Sequence, residues 1–400
     1  MNAIAAPLSR RAAPHALERA TFGLLLAFIA SLQLSIAAAN VLLAATGVCW
    51  MALLARGALR PAAPPFFVPL MAYAGITLLS ALFSLDPVTS LVDSRQLLLF
   101  AVVPIVYTLA PGDRAPLAVT VVISVGAISA AMGLVQYALL HYDTLGRRPD
   151  GALTHYMTYS GTLMLAVCAT AAHLVFSPRN RTWPALVMPA LVVALALTLT
   201  RSAWVGASVA VALLFVQRDF RLMAVLPVAV ALVFAVAPDT LSRRMLSIVD
   251  LQDPSNRDRV AMLRAGAAMI ADDPLTGVGP DMIPRVYEAY RTPDAVNPKT
   301  PHLHNVPLQI AAERGIPALA VWLWFIGSCA LHLARRRRSG DRTLVAMGLA
   351  VLAATLAAGL FEYNFGDSEF LMLFLVLVTL PFAAARAPRH APLEAPGDPP

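Results

Sequence analysis

The stretch PHLHNVPLQIAAERG, residues 301–315, places two histidines, an asparagine and a Glu–Arg pair at the edge of an apolar run. A neutral imidazole can accept a proton from a hydroxyl, the service that a general base performs. Pro307 suits the first turn of a helix running through Gln309 to Arg314, because its missing N–H is not needed there. His304 and Asn305 then stand where that helix begins, and its partly positive end disfavours an imidazolium. His304 is therefore expected to be neutral and able to take a proton, with His302, two residues away, as the other candidate. Asn305 either caps the helix or holds a ligand, and Glu313 with Arg314 reads as a local structural pair.

Arginine supplies the second kind of chemistry, since its planar fork binds phosphate oxygens in pairs. Arg201 lies in Thr200-Arg201-Ser202-Ala203-Trp204, the link between two apolar runs. It reads either as a phosphate ligand or as a snorkelling anchor of a helix end. SNRDRVAMLRAGAAMIADDP reads as one helix, capped by Ser255 or Asn256 and stopped by Pro274. At 100° per residue Leu263, Gly266 and Ile270 share its apolar face, with Val260 and Ala267 beside them and Arg259 in the middle. An arginine on such a face needs an anionic partner, either a structural carboxylate or a ligand phosphate. Arg147 and Arg148, in HYDTLGRRPDGALTHY, are second choices, while Arg257 and Arg264 lie on the wet side of the helix. DPLTGVGPDM is a Gly/Pro turn and only a weak phosphate signal. DMIPRVYEAYR reads as a second short helix with Met282, Val286 and Tyr290 on one side. Asp272-Asp273 reads as helix termination, so no metal pair stands out. FEYNFGDSE adds Glu362, Asn364 and Asp367.

These groups must be positioned by a hydrophobic framework. The chain has 400 residues, 58% hydrophobic and 13% charged, with a mean hydropathy of +0.69. Apolar runs of about 20 residues recur, the length that crosses a bilayer as a helix. The reading is an all-α polytopic membrane protein with twelve spans. Two share the run Ala20–Leu54, and seven more lie near 65–84, 95–110, 115–140, 155–176, 184–200, 203–217 and 221–238. A polar segment, 239–305, follows, and the last three spans lie near 315–334, 343–361 and 369–385.

Basic residues set the orientation. With the N-terminus in the cytoplasm, cytoplasmic segments hold 17 of the 30 Lys and Arg, while short outer loops hold only Arg95, Arg147, Arg148 and Arg201. Both termini are then cytoplasmic and 239–305 faces out. This asymmetry accounts for the pI of 9.7, so nucleic-acid binding is not inferred. Cys49, Cys168 and Cys329 fall in apolar runs and read as small core residues. The first span leads straight into a second, so no cleavable signal peptide is expected. The Pro-rich end, residues 387–400, reads as a disordered cytoplasmic tail.

TRSAW near residue 200, RVAMLRAGAAMIADDPLTGVGPDM, and HNVPLQIAAERGIPALA before a span occur in this order. Together, on a twelve-span chain with a long outer loop between spans nine and ten, they resemble the O-antigen ligase/polymerase superfamily over roughly residues 140–380. Leu263 stands where many members carry tryptophan. The resemblance implies a GT-C glycosyltransferase of a bacterial inner membrane with a periplasmic active site and no cofactor or metal. The implied donor is a glycan on undecaprenyl diphosphate, and the implied acceptor is the lipid A-core oligosaccharide, with membrane lipids as further partners. Arg201, Arg259 and His304 would be catalytic; Arg147, Arg148, Arg264, His302, Asn305 and Asn364 would bind diphosphate or sugar. Residues 1–238 would carry spans one to nine, 239–305 part of the active site, and 306–386 the last three spans. A polymerase or a protein O-oligosaccharyltransferase of the same superfamily is the alternative. A transporter would place ionisable groups near the bilayer midplane. A purely structural scaffold would leave the outer arginines and histidines unexplained.

Overall fold

A computed structural model describes residues 8–178, 181–250, 252–338 and 340–386, and every regular element among them is helical. The segment expected to be a disordered tail, 387–400, lies outside the described residues. Six helical stretches are long and apolar enough to cross a membrane, namely Ile36–Ala55, Pro87–Leu109, Arg114–Leu140, Tyr156–Phe176, Val306–Arg336 and Arg342–Gly359. Phe67–Leu82, Thr182–Leu197, Phe220–Leu232 and Ser368–Ala384 are apolar but shorter. With Leu8–Ser31 and Arg201–Arg218, helices occupy all twelve expected places, and six of them meet both requirements.

Several boundaries differ from the sequence reading for local reasons. The fourth stretch begins at Pro87, eight residues early, because Asp86 caps it by accepting from Thr89 N at 3.1 Å, with proline in the first turn. After Val236 the chain forms a further short helix, Asp239–Leu246, that no apolar period announces. Val306–Arg336 is two helices in series, interrupted at Gly315, whose φ of 81° and ψ of 167° are not helical.

Ser368–Ala384 is buried from Phe370 to Ala383 and forms the central post. Small residues let the other helices approach closely, the usual device where lipid offers no hydrophobic drive between helices. A Cβ at Gly206 would meet Met164 and would come within 2.8 Å of the Ala354 carbonyl, which joins Arg201–Arg218 to its two neighbours.

The polar segment folds as Pro254–Asp272 and Ile283–Tyr290, around a small core of Met262, Met269, Met282, Ile283, Tyr287 and Leu303. Two expectations need correction here. The cap of the first helix is Asp253, which accepts from Ser255 N and Asn256 N, and not Ser255 or Asn256. Its buried face is Asp258, Ala261, Met262, Ala265, Gly266 and Met269, while Val260 and Leu263 are exposed. The helix turns its small residues inward because Leu303 and Leu308 pack directly on Gly266. Asp258 is drawn in by the loop it secures, accepting from Val296 N at 2.7 Å and Asn297 N at 3.0 Å.

The Gly/Pro turn 274–281 binds the broken helix. Val278 N donates to Ala312 O at 3.0 Å, Gly279 N to Glu313 O at 2.9 Å, and Ile316 N to Pro274 O at 2.8 Å. Ser80, Ser84 and Ser90 hold the other side of the turn through its carbonyls. The turn is a structural latch, not a free phosphate loop. A Cβ on Gly315 would collide with the Leu275 carbonyl on a backbone that L-residues rarely adopt. Gly315→Ala is therefore expected to cost at least ~1–3 kcal/mol, seen as lower yield and a lower melting midpoint in detergent. A variant that melts with the parent would show that the break is dispensable.

Candidate active site

Helix ends converge at one pole of the bundle. Tyr156–Phe176, Arg201–Arg218, Val306–Arg336 and Ser368–Ala384 all begin there, and Arg342–Gly359 ends there. Several helix N-termini with partly positive charge thus face a common space. Three of them carry caps: His155 Nδ1 accepts from Met157 N, Asn305 Oδ1 from Leu308 N, and Asp367 Oδ1 from Phe370 N. Asn305 also donates from Nδ2 to Leu360 O at 3.0 Å, so of its two expected roles the geometry gives the cap.

His304 sits just before that cap with a left-handed backbone, φ 48°, a conformation costing about 1–2 kcal/mol for an L-residue. The turn aims its ring at Glu362, and Nδ1 lies 3.0 Å from Oε2. A carboxylate only accepts, so Nδ1 carries the hydrogen and Nε2 is left as the acceptor. Burial alone would raise the Glu362 carboxyl, but His304, His302 and the Tyr363 N–H hold it down to about 2. It is ionised throughout the physiological range. His302 packs edge-on against His304, with ring centres 4.2 Å apart, and its Nε2 lies 3.7 Å from Glu362 Oε1. Burial pushes the His302 imidazole down to about 4, and its Nδ1 is buried without a partner. Ligand atoms of His302, His304 and Glu362 all lie within 4.8 Å of one another, a donor set that is also suited to a divalent metal.

A cavity of about 250 Å³ opens beside this group, lined by Thr158, Ser160, Ser202, His302, Glu362 and Asn364. Asn364 donates to Thr355 O while its Oδ1 is buried and unpartnered. Asp367, hydrogen-bonded to Thr158, is raised by burial.

Opposite lies a cluster of arginines. Arg201 is buried and fully engaged, with Nη1 on Ser247 O and Oγ at 2.7 and 3.0 Å and Nη2 on Asp253 Oδ1 and Ser255 Oγ at 3.1 Å each. Neither a snorkelling anchor nor an open phosphate ligand describes this environment, in which protein acceptors, Asp253 among them, occupy both terminal nitrogens. Arg259 differs, because it has no hydrogen bond or ion pair among the described residues and its buried Nε is unpartnered. Burial lowers its pKa, and Glu362 opposes that shift. Arg148 stacks 4.3 Å over Tyr156 and is lowered by burial. Arg147 stacks over Tyr142 on the exposed loop.

Arg264 does not join the group; it pairs with Asp294 at 2.9 Å on an exposed surface. Arg244 does join it, and sequence reasoning missed this residue. Burial, with Arg201 and Arg148 nearby, brings Arg244 down to about 10, and Asp253 lies 3.5 Å away. Its signal in the sequence is the short amphipathic helix Asp239–Leu246, which buries Leu241 and half-buries Arg244 while Arg243 is exposed. Glu362 was noted as an outer-face charge, but its pairing with His304 was not foreseen.

The helical bundle thus brings a histidine–carboxylate pair and a group of arginines to one pole. Residues 186–323, about a third of the chain, match the family model described as O-Antigen ligase. The match includes Arg201, Arg244, Arg259, His302 and His304 and ends before Glu362. No curated protein matches the chain.

Two outcomes follow from these environments. Arg201→Ala removes hydrogen bonds to Ser247, Asp253 and Ser255 and leaves Asp253 only the longer contact with Arg244, so it is expected to destabilise the protein by about 1–3 kcal/mol. Arg259→Ala removes an unpaired buried charge and should melt with the parent; the reverse ranking in thermal melts would overturn the assignment. Between pH 6.5 and about 4 the unfolded chain protonates His302 while the folded chain does not, so this group's share of stability is lost as pH falls through that window. Melting curves of His302→Gln should show a shallower acid slope there than the parent, and parallel slopes would remove His302 from the effect.

Proposed function

We propose that the chain transfers O-antigen glycan from undecaprenyl diphosphate to the lipid A-core oligosaccharide, at the periplasmic face of a bacterial inner membrane. The twelve-span topology with both termini cytoplasmic is part of this reading and rests on the asymmetry of Lys and Arg. The observation that carries the chemistry is His304 Nε2, left free to accept because Nδ1 is tied to Glu362, on the same pole as unpaired Arg259.

In this reading the acceptor hydroxyl gives its proton to His304 Nε2 as its oxygen bonds to the anomeric carbon. The bond from that carbon to the diphosphate oxygen breaks, and its electrons leave with undecaprenyl diphosphate. Arg259, with Arg148 and Arg244 behind it, meets the growing negative charge, stabilisation that is strong where water is excluded. Arg201 holds the Ser247–Ser255 segment against the helix ends and so positions Arg244 and Arg259. A single displacement inverts the anomeric centre. Cations at the leaving group make a divalent metal unnecessary, and His302, His304 and Glu362 act as a base and its supports.

The test is transfer by purified protein from undecaprenyl-diphosphate glycan to lipid A-core. His304→Ala should lower kcat by about 10²–10⁴ while donor binding persists, and Glu362→Gln should lower it by at least about tenfold. Arg259→Lys should recover little, because an ammonium lacks the guanidinium fork. Normal transfer by His304→Ala with loss in His302→Ala would move the base to His302. Activity should survive thorough EDTA treatment, whereas a strict, reversible need for a divalent ion would turn the His302, His304 and Glu362 group into a metal site.

A further inference from the structure

The other pole of the bundle carries a second constellation that the transfer reading does not use. Val306–Arg336 begins at the histidine site and ends there, 31 residues away. Beyond the break at Gly315, residues 316–336 alone extend roughly 30 Å at about 1.5 Å per residue, the thickness of a bilayer's hydrocarbon core. A cavity of about 980 Å³ opens at that end, lined by Arg335, Arg337, Arg338 and Arg342 with Gln217 and Phe176. A second cavity, of about 880 Å³, adjoins it through Phe176 and Arg342 and is walled by Trp183, Pro184 and Leu344.

Loop arginines alone would follow from orientation in the membrane, but three features go beyond that rule. First, no carboxylate lines the larger cavity, and none of its four guanidinium groups has a hydrogen bond or ion pair among the described residues. Asp341, at the rim of the second cavity, already accepts from Thr343 N and Leu344 N as a helix cap. Arg336 is turned away over the Phe382 ring. Second, Gln217, which lines the larger cavity, has an Nε2 that is buried without any partner. Third, the walls are apolar, through Phe176, Val345 and Ala346 in one cavity and Ile123 and Trp183 in the other. Trp183 and Leu186 are exposed on the helix beside it, as side chains in contact with lipid are.

A soluble anion would match the arginines but not the apolar walls, and an acyl chain alone would match only the walls. We propose that this arginine-lined hollow binds the headgroup of an anionic phospholipid, preferably one carrying two phosphates, with its acyl chains along the apolar walls. Four forks with no competing carboxylate suit more than one phosphate, and basic pockets between membrane helices are known to hold such headgroups. The site lies at the opposite pole from His304 and does not depend on the transfer reading.

The experiment uses the full chain in nanodiscs of phosphatidylcholine mixed with either phosphatidylglycerol or cardiolipin, followed by native mass spectrometry of retained lipid. The expected result is selective retention of the anionic lipids, cardiolipin above phosphatidylglycerol, and about fivefold weaker retention for each of Arg337→Gln and Arg342→Gln. Retention in proportion to the bulk mixture, read on the unaltered protein and so independent of how any variant folds, would overturn the proposal. Equal retention by well-inserted variants would also overturn it. Displacement of the lipid by inorganic phosphate at comparable concentration would overturn the lipid source and leave a site for a free anion.

Discussion

A helix that breaks inside a membrane protein leaves backbone donors and acceptors that must find partners, and the break at Gly315 sets much of the surrounding architecture. Each unpaired buried group would cost about 1–3 kcal/mol. The turn 274–281 supplies the missing partners to Ala312, Glu313 and Ile316, and serines 80, 84 and 90 fix the turn from its other side. The polar segment is therefore attached by main-chain bonds at the break, supplemented by the Arg285–Asp86 and Arg201–Asp253 ion pairs. The break also separates Val306–Arg314 from the long apolar helix, so the short piece can lie at its own angle with Asn305 as its cap and His304 before it. The backbone strain at His304 is held in place by this attachment, with Leu303 N donating to Gln309 Oε1 at 2.7 Å.

The electrostatics of the site are unbalanced in a consistent direction. Burial, reinforced by the nearby Arg201 charge, lowers Arg148, Arg244 and Arg259, while Asp253 and Glu362 are carboxylates that oppose the shift in Arg244 and Arg259. Asp253 is shared between Arg201 and Arg244, and Glu362 is engaged by two imidazoles. Helix N-termini add positive potential to the same space. Buried like charges raise the energy of the unliganded site, and an entering dianion would relieve that repulsion.

The helix start at Asn305-Val306-Pro307 was more legible in the sequence than the pairings around it. The proline–asparagine start of a helix after two histidines is a local pattern, and local patterns survive folding. TRSAW placed Arg201 in the link between two spans, whereas it begins the helix, is buried, and finds its partners some fifty residues on, at Ser247 and Ser255. Glu362 was visible only as a charge in an outer turn, since nothing in FEYNFGDSE announces a histidine 58 residues earlier. The face of Pro254–Asp272 was misread because hydrophobic periodicity weighs Val260 and Leu263 above Ala261 and Ala265. Close packing against Leu303 and Leu308 selects for small residues, so the tighter face was the less hydrophobic one. The span expected at 95–110 was placed eight residues late because its first turns are polar, although Asp86-Pro87 carries a clear cap.

Arg201 and Arg259 show why residue type alone does not assign a role. Both are arginines at the same pole, and both need the guanidinium, for different reasons. Arg201 directs its two terminal nitrogens at four acceptors on one segment, a geometry that an ammonium cannot span. Removing it would release the segment that carries Arg259. Arg259 has no such partners, and its helix is already secured by the Asp253 cap and by the packing of Met262 and Met269. Its burial costs free energy that no hydrogen bond or ion pair among the described residues returns, and the more distant Glu362 offsets it only through space. The two residues thus differ in surroundings and not in type, since the engaged arginine ties Ser247, Asp253 and Ser255 together while the unengaged one has no such partner among the described residues.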